Sequence, residues 1–214
     1  MITAHLFADA ERLLCIGAHP DDIEIGCGGT LLQMRRRFPM LDIRWLILSG
    51  NSERRSEAVR SAERMLGDAG RLTLHEFRDG FLPLDDAPQV KAILAAHAEG
   101  FTPDVVFAPR RSDAHQDHRL LGRLAWQVYR TQPVLHYELP KYEGDLAGAN
   151  AYVVLEEDDV TAKVEHLLTS FPSEAGKPWF DEDVFRGLMR LRGVECRAPS
   201  GYAEAFEAPK LRLG

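Results

Sequence analysis

Cysteine is scarce in this chain. Only Cys15, Cys27 and Cys196 occur among 214 residues, far apart and with no CxxC pair. An odd, scattered set excludes a disulfide framework and reads as a reduced intracellular chain. Positive charge is also in deficit: 26 Lys and Arg stand against 33 Asp and Glu, a net charge of −7. That balance argues against a protein held to nucleic acid by phosphate neutralisation, which leaves a basic footprint. Long apolar runs are missing too. The longest, such as Val105–Pro109, are far too short to span a bilayer. The first residues lack a basic region followed by a continuous apolar one, so no signal peptide is expected and the default compartment is the cytoplasm. With 17 Gly and 12 Pro the chain is not collagenous, and at 45% hydrophobic residues it is not disordered.

What is present is an alternation of strand-length apolar runs with stretches of helical period. Strands are expected at Leu13–Ala18, Asp42–Ser49, Leu72–Phe77, Asp104–Pro109, Val134–Glu138 and Ala151–Glu156. Between them lie a Gly-rich turn with a helix over Thr30–Arg37, a helix from Ser56 to a stop at Gly67, one marked by Val90, Ile93, Leu94 and His97, and one from about His118. Val160–Leu168 and Val184–Leu191 suggest two late helices. This pattern predicts a single α/β domain over residues 1–214, with a mostly parallel sheet covered on both sides. Ligands of such sheets bind at the carboxyl ends of the strands.

Two of those strand ends carry most of the chemistry. The first reads Ala18-His19-Pro20-Asp21-Asp22. Pro20 disfavours helix at His19 and holds the chain open, presenting an imidazole beside two carboxylates. Adjacent carboxylates repel, and a bound cation is the usual reason to tolerate them. The fourth strand is followed by Asp113-Ala114-His115-Gln116-Asp117-His118, in which His115 and His118 lie about one helical turn apart. Two histidines and a carboxylate with an open fourth position form a catalytic zinc set. Imidazole suits zinc better than magnesium, and the same ligand types also accept manganese or iron. The bland alternative makes His19 and Asp22 a turn and a helix cap, since Asp is a favoured N-cap.

AHPDDIEIGCGGTL followed by DAHQDH closely resembles the LmbE-like, or PIG-L-like, family of metal-dependent de-N-acetylases. Arg54-x-x-Glu57-Ala58 with Ala62 and Leu66-Gly67 is similar to the family's helix signature, and Tyr202-Ala203-Glu204-Ala205-Phe206 to a family C-terminal segment. The resemblance implies a Rossmann-like three-layer fold and a zinc hydrolase acting on an N-acetylated amino sugar. It implies His19, Asp22 and His118 as metal ligands and Asp21 as general base. His115 would stabilise the oxyanion or protonate the leaving amine, with Asp117 orienting it. Homo-oligomers are compatible with it. Asp113 stands where some members acting on thiol precursors carry tyrosine, which points away from a thiol-pathway substrate.

Three further residues are candidate substrate contacts. Arg54 opens a helix, where a cation suits the helix dipole poorly, and its guanidinium can hold sugar hydroxyls or a phosphate. Asp79 can accept hydrogen bonds from hydroxyls or shape the Arg78-Asp79-Gly80 turn. Asp113 is the weakest of the three. Cys27 reads as a packing residue, and Gly26, Gly28 and Gly29 as points where the backbone must come close to the sheet rather than a phosphate loop. His5, His75, His97, His136 and His166 lack ligand-like neighbours and read as structural or surface. Two rival functions share the same residues. A metal-dependent phosphoesterase usually needs more ligands than this set provides. A non-catalytic metal- or sugar-binding protein would have no use for Asp21 and His115.

Overall fold

Alternate residues of the first strand enter different cores. In β1 (Arg12–Gly17), Leu13 and Cys15 join one hydrophobic cluster, Leu14 and Ile16 the other. β2 (Asp42–Ser49) repeats this, with Ile43, Trp45 and Ile47 on one side and Leu46 and Leu48 on the opposite side. Strands buried on both faces belong inside a sheet covered by helices. The computed structural model describes residues 6–211, so His5 lies outside the described residues. β3 (Leu72–Phe77), β4 (Val105–Pro109), β5 (Val134–Tyr137), β6 (Ala151–Leu155) and β7 (Tyr202–Glu207) complete a seven-stranded sheet. Its order is β3-β2-β1-β4-β5-β7-β6. The first five strands run parallel, and β7 is antiparallel to both β5 and β6.

Four helices cover one face: α1 (Asp22–Arg37), α2 (Ser52–Leu66), α5 (Glu157–Ser170) and α6 (Glu182–Cys196). α3 (Ala87–Gly100) and α4 (Gln116–Val128) cover the other through Val90, Leu94, Leu121 and Ala125. This is the expected single-domain, mostly parallel α/β architecture. Among the described residues no helix is long and apolar enough to cross a membrane.

Three elements differ from the sequence expectation. α1 begins at Asp22 rather than Thr30, because the glycine-rich stretch is itself helical. A Cβ on Gly26 would sit 2.2 Å from the Tyr137 ring, and one on Gly29 2.6 Å from Leu155, so these glycines bring the helix onto the sheet. The helix kinks at Cys27, where φ is −146° and ψ 16°. There Glu204 accepts hydrogen bonds from the Gly29 and Thr30 amides at 2.8 and 2.7 Å and pairs with Lys163 at 2.6 Å. Cys27 is fully buried and its thiol is pushed up by burial, consistent with a packing role. α2 begins at Ser52, one turn earlier than expected, because Asn51 caps it by accepting from the Arg54 amide at 3.0 Å. β7 was not expected at all: Tyr202 and Phe206 favour strands, but the four Ala and Glu residues around them do not.

The strand order places the site. From β1 the chain winds outward to β2 and β3, then returns past β1 to β4 and β5. A crevice therefore opens between the carboxyl ends of β1 and β4, where the order reverses. The loops at residues 18–22 and 110–118 flank it.

Candidate active site

The β1–α1 loop is a tight turn held by a carboxylate. Asp22 Oδ2 accepts hydrogen bonds from the Ala18 and His19 amides at 2.8 and 2.9 Å, which turns Oδ1 toward His118 Nε2 at 3.2 Å. Asp21, just before the helix, adopts φ 90° and ψ −24°, a left-handed conformation that costs a non-glycine residue energy. Its side chain caps nothing.

The β4–α4 loop supplies the other half. Helix α4 reaches the end of β4 because Gly122 lacks a side chain; a Cβ there would lie 2.4 Å from the Pro109 carbonyl oxygen. Asp113, buried, accepts from the His115 amide at 2.8 Å and faces His118 Nδ1 at 3.3 Å. Lys141 holds its second oxygen at 3.2 Å. Asp113, expected as a substrate contact, faces the His118 imidazole and is not among the residues that line the cleft.

His19 Nδ1 and His118 Nε2 face each other at 3.0 Å. The outward nitrogen of each ring points at carboxylates: His19 Nε2 at Asp79 (2.9 Å) and Asp117 (3.2 Å), and His118 Nδ1 at Asp113. Outward N–H groups bonded to carboxylates leave the inward lone pairs opposed, an arrangement that needs a proton or cation between them. Asp22 Oδ1 stands 3.2 Å from His118 Nε2, and its Oδ2 3.7 Å from His19 Nδ1. Donors about 2.0–2.1 Å from a tetrahedral zinc lie about 3.3 Å apart, close to the 3.0 Å between the two inward nitrogens and the 3.2 Å from His118 Nε2 to Asp22 Oδ1. The ring nitrogens of His19, His115 and His118 also lie within 4.8 Å of one another, as do ligand atoms of His19, Asp79 and Asp117. A metal can therefore be held here by histidine and aspartate.

The titration of these groups follows from burial and mutual charge. Burial works against the charged imidazoles, yet the Asp22 carboxylate raises His19 well above its usual value and His118 to about 9. The same charges hold Asp22 well below the carboxylate range despite its burial. Asp21 behaves oppositely: burial raises it to about 7 against the pull of Arg54. Its Oδ1 meets Arg54 Nη2 at 3.0 Å, and its Oδ2 is buried with no hydrogen-bond partner among the described residues. His115 Nδ1 is likewise unpartnered. Burial and the neighbouring His118 and His19 charges lower the His115 pKa, which favours the neutral ring.

Two expected contacts are placed differently. Asp117 does not bond His115; fully buried, it accepts from the Gly80 and Leu82 amides at 2.7 and 3.2 Å and faces His19. Arg54 is not free in the cleft but is held by Asp21, the Pro20 carbonyl and Glu174. Asp79 is mostly exposed and stands at the mouth beside His19. Sequence reasoning missed Glu174 and Lys141. For Glu174 a faint signal existed, since Arg54 and Glu57 share one face of α2 at i, i+3 spacing and both reach the same turn. Trp179 also borders the cleft.

Residues 14–129 match the PIG-L family, described as GlcNAc-PI de-N-acetylase. The chain is 31% identical over 140 residues to the uncharacterized deacetylase YaiS of Escherichia coli, covering 61% of this chain and 75% of that one. Its structure resembles that of the conserved protein TT1542 from Thermus thermophilus, with a TM-score of 0.75, 26% identity and coverage of 94% and 96% of the two chains. It also shares the fold of N,N'-diacetylchitobiose deacetylase from Pyrococcus horikoshii, with a TM-score of 0.70, 21% identity and coverage of 94% and 84%. The AHPDD turn and the HQDH helix start both fall within the matched segment, and on that match the chain belongs to the PIG-L (LmbE-like) family of de-N-acetylases, which are hydrolases.

Proposed function

We propose that this protein is a zinc-dependent deacetylase that hydrolyses the N-acetyl group of an uncharged amino-sugar conjugate, such as an N-acetylglucosamine glycoside. The observation that carries this reading is the unpartnered Oδ2 of Asp21 beside the three converging donors of His19, Asp22 and His118. When bound, the metal supplies Lewis-acid polarisation of the amide carbonyl and of water. Asp21, with a pKa near 7, accepts the proton of the attacking water and returns it to the departing nitrogen. His115, favoured as the neutral ring, offers a hydrogen bond to the carbonyl oxygen as charge develops there. Asp113, Asp117 and Asp79 hold the two imidazoles of His118 and His19 in the required tautomers.

The cleft has a volume of about 750 Å³, in the range that encloses a small glycoside. Three of its cations are already neutralised: Arg54 by Asp21 and Glu174, Lys141 by Asp113 and Asp145, Lys177 by Glu174. Arg78, over the Phe81 ring, is then the lining Arg or Lys without a carboxylate partner among the described residues, a single cation to attract a phosphorylated substrate. Trp179 and Tyr142 at the rim offer apolar faces to a sugar ring. The test is acetate release from neutral and phosphorylated N-acetylglucosamine conjugates, by chelator-treated protein with and without added zinc. Zinc-dependent acetate release is expected, falling about 10²–10⁴-fold in Asp21→Asn. Stoichiometric zinc binding with no acetate from any conjugate defeats the hydrolase reading, and faster release from the phosphorylated set defeats the neutral-substrate reading.

A further inference from the structure

Arg54 sits at the centre of a network that joins the turn at Pro20 and Asp21 to Glu174, more than 150 residues later. Its guanidinium bonds Asp21 Oδ1 at 3.0 Å and the Pro20 carbonyl on one side, and Glu174 on the other. The Phe171 ring lies 6.0 Å away. Glu174 is 3% exposed and belongs to a one-turn 3-10 helix, Pro172–Glu174, directly after α5. That turn is pinned independently: Glu57 accepts from the Ser173 amide at 2.9 Å and from its hydroxyl at 2.5 Å. Lys177 closes the outer side of Glu174. The chain of contacts therefore runs from Glu57 to the 172–174 turn, from Glu174 to Arg54, and from Arg54 to Asp21.

We propose that Glu174 is a positioning residue for the reaction, fixing the Arg54 guanidinium so that Asp21 presents its unpartnered oxygen to the metal-donor cluster. Asp21 stands in a left-handed backbone conformation with no cap contact, so among the described residues its side chain has one ion-pair partner, Arg54. Arg54 has many rotamers, and a single carboxylate would leave it free to pivot. A second carboxylate on the opposite side removes that freedom. Arg54 is thereby committed to the protein, and its role as a substrate hook gives way to one of alignment. This inference rests on the reading of Asp21 as the base.

The test combines unfolding and kinetics on the full chain. Thermal unfolding is measured for Glu174→Gln, Asp21→Asn and the double variant, each with Arg54 intact and again with Arg54→Met. Either single change leaves the largely buried Arg54 one counter-ion, whereas the double change leaves none. The double variant is expected to lose more in Tm than the sum of the singles, by about 4 °C or more, and the excess is expected to vanish with Arg54→Met. Additive losses with Arg54 present overturn the network. In acetate release, Glu174→Gln is expected to lower kcat about ten-fold with KM within about two-fold, and Glu174→Asp to recover part of the loss. A raised KM with unchanged kcat would instead make Glu174 a partner in substrate binding and overturn the positioning role. If wild type releases no acetate, the functional reading fails while the unfolding comparison still decides the link.

Discussion

Acid should destabilise this protein through His136, which lies in β5 and is fully buried. Its Nδ1–H donates to the Pro109 carbonyl at 2.8 Å, while Nε2 has no partner among the described residues. Burial lowers its pKa from 6.5 to about 4; Arg111 and Arg110 add to the lowering, and the Pro109 bond and Glu207 oppose it. Between those values the unfolded chain binds a proton that the folded protein refuses. Stability from this residue is therefore complete above the unfolded value and is lost as pH falls toward the folded one. Linkage over pH 7 to pH 5 gives a loss of about 2 kcal/mol, approaching about 3 kcal/mol by pH 4. Urea unfolding of wild type and His136→Gln at both pH values isolates this contribution, because the amide can still donate to Pro109 but does not titrate. Wild type should lose about 2 kcal/mol more than the variant between pH 7 and pH 5. Parallel losses within about 0.5 kcal/mol would refute the reasoning.

Gly122→Ala should destabilise by about 2–3 kcal/mol in urea, because its Cβ meets the Pro109 and Arg110 backbone, whereas Gly187→Ala, on exposed helix with nothing within 4 Å, should stabilise by about 0.5–1 kcal/mol. Similar effects at both sites would show that helix propensity alone governs them. Asp113→Asn should weaken zinc binding about 10–100-fold in chelator competition by loosening His118, and unchanged affinity would show that packing alone orients the ring. Glu204→Ala should cost about 3–5 kcal/mol, since it strands the buried Lys163 ammonium and two amides at the α1 kink. A smaller loss, under about 1 kcal/mol, would mean that water replaces the carboxylate there.

Much of this was legible because local chemistry and fold agree. Burial of β1 and β2 on both faces left apolar runs that read directly as interior strands. Pro20 and the paired aspartates marked the first loop, and the His115/His118 spacing marked the second. What stayed hidden depends on long-range contact. The glycine run was rightly read as a close approach to the sheet but placed in a turn, because nothing local announces that Tyr137 and Leu155 wait against a helix there. β7 is mostly Ala and Glu, which disfavour strands, and it is completed by pairing with β5 and β6 on its two edges. Asp117 lies two residues from His115 in sequence, yet the start of α4 turns it to His19 and to the amides of Gly80 and Leu82, a pairing no spacing rule contains.

The division of labour between the two parts of the chain follows from where the charges lie. His19, Asp21, Asp22, Arg54, Asp79, Asp113, His115, Asp117 and His118 all fall within the family-matched residues 14–129. Beyond residue 129, among the described residues, three buried carboxylates meet cations that are themselves largely buried: Glu138 meets Arg192, Glu174 meets Arg54 and Glu204 meets Lys163. A buried ion pair seldom stabilises more than an apolar pair of the same volume, so stability alone is a poor reason for three of them. Direction is a better one, because a carboxylate fixes the orientation of whatever donates to it. Glu204 fixes the kink of α1 just past the His19–Asp22 turn, Glu174 fixes the guanidinium behind Asp21, and the Glu138–Arg192 pair ties α6 to the chain just past β5. The later part of the chain acts on the site by holding its reacting groups at fixed angles, which explains how a turn as remote as residues 172–174 can govern an aspartate at position 21.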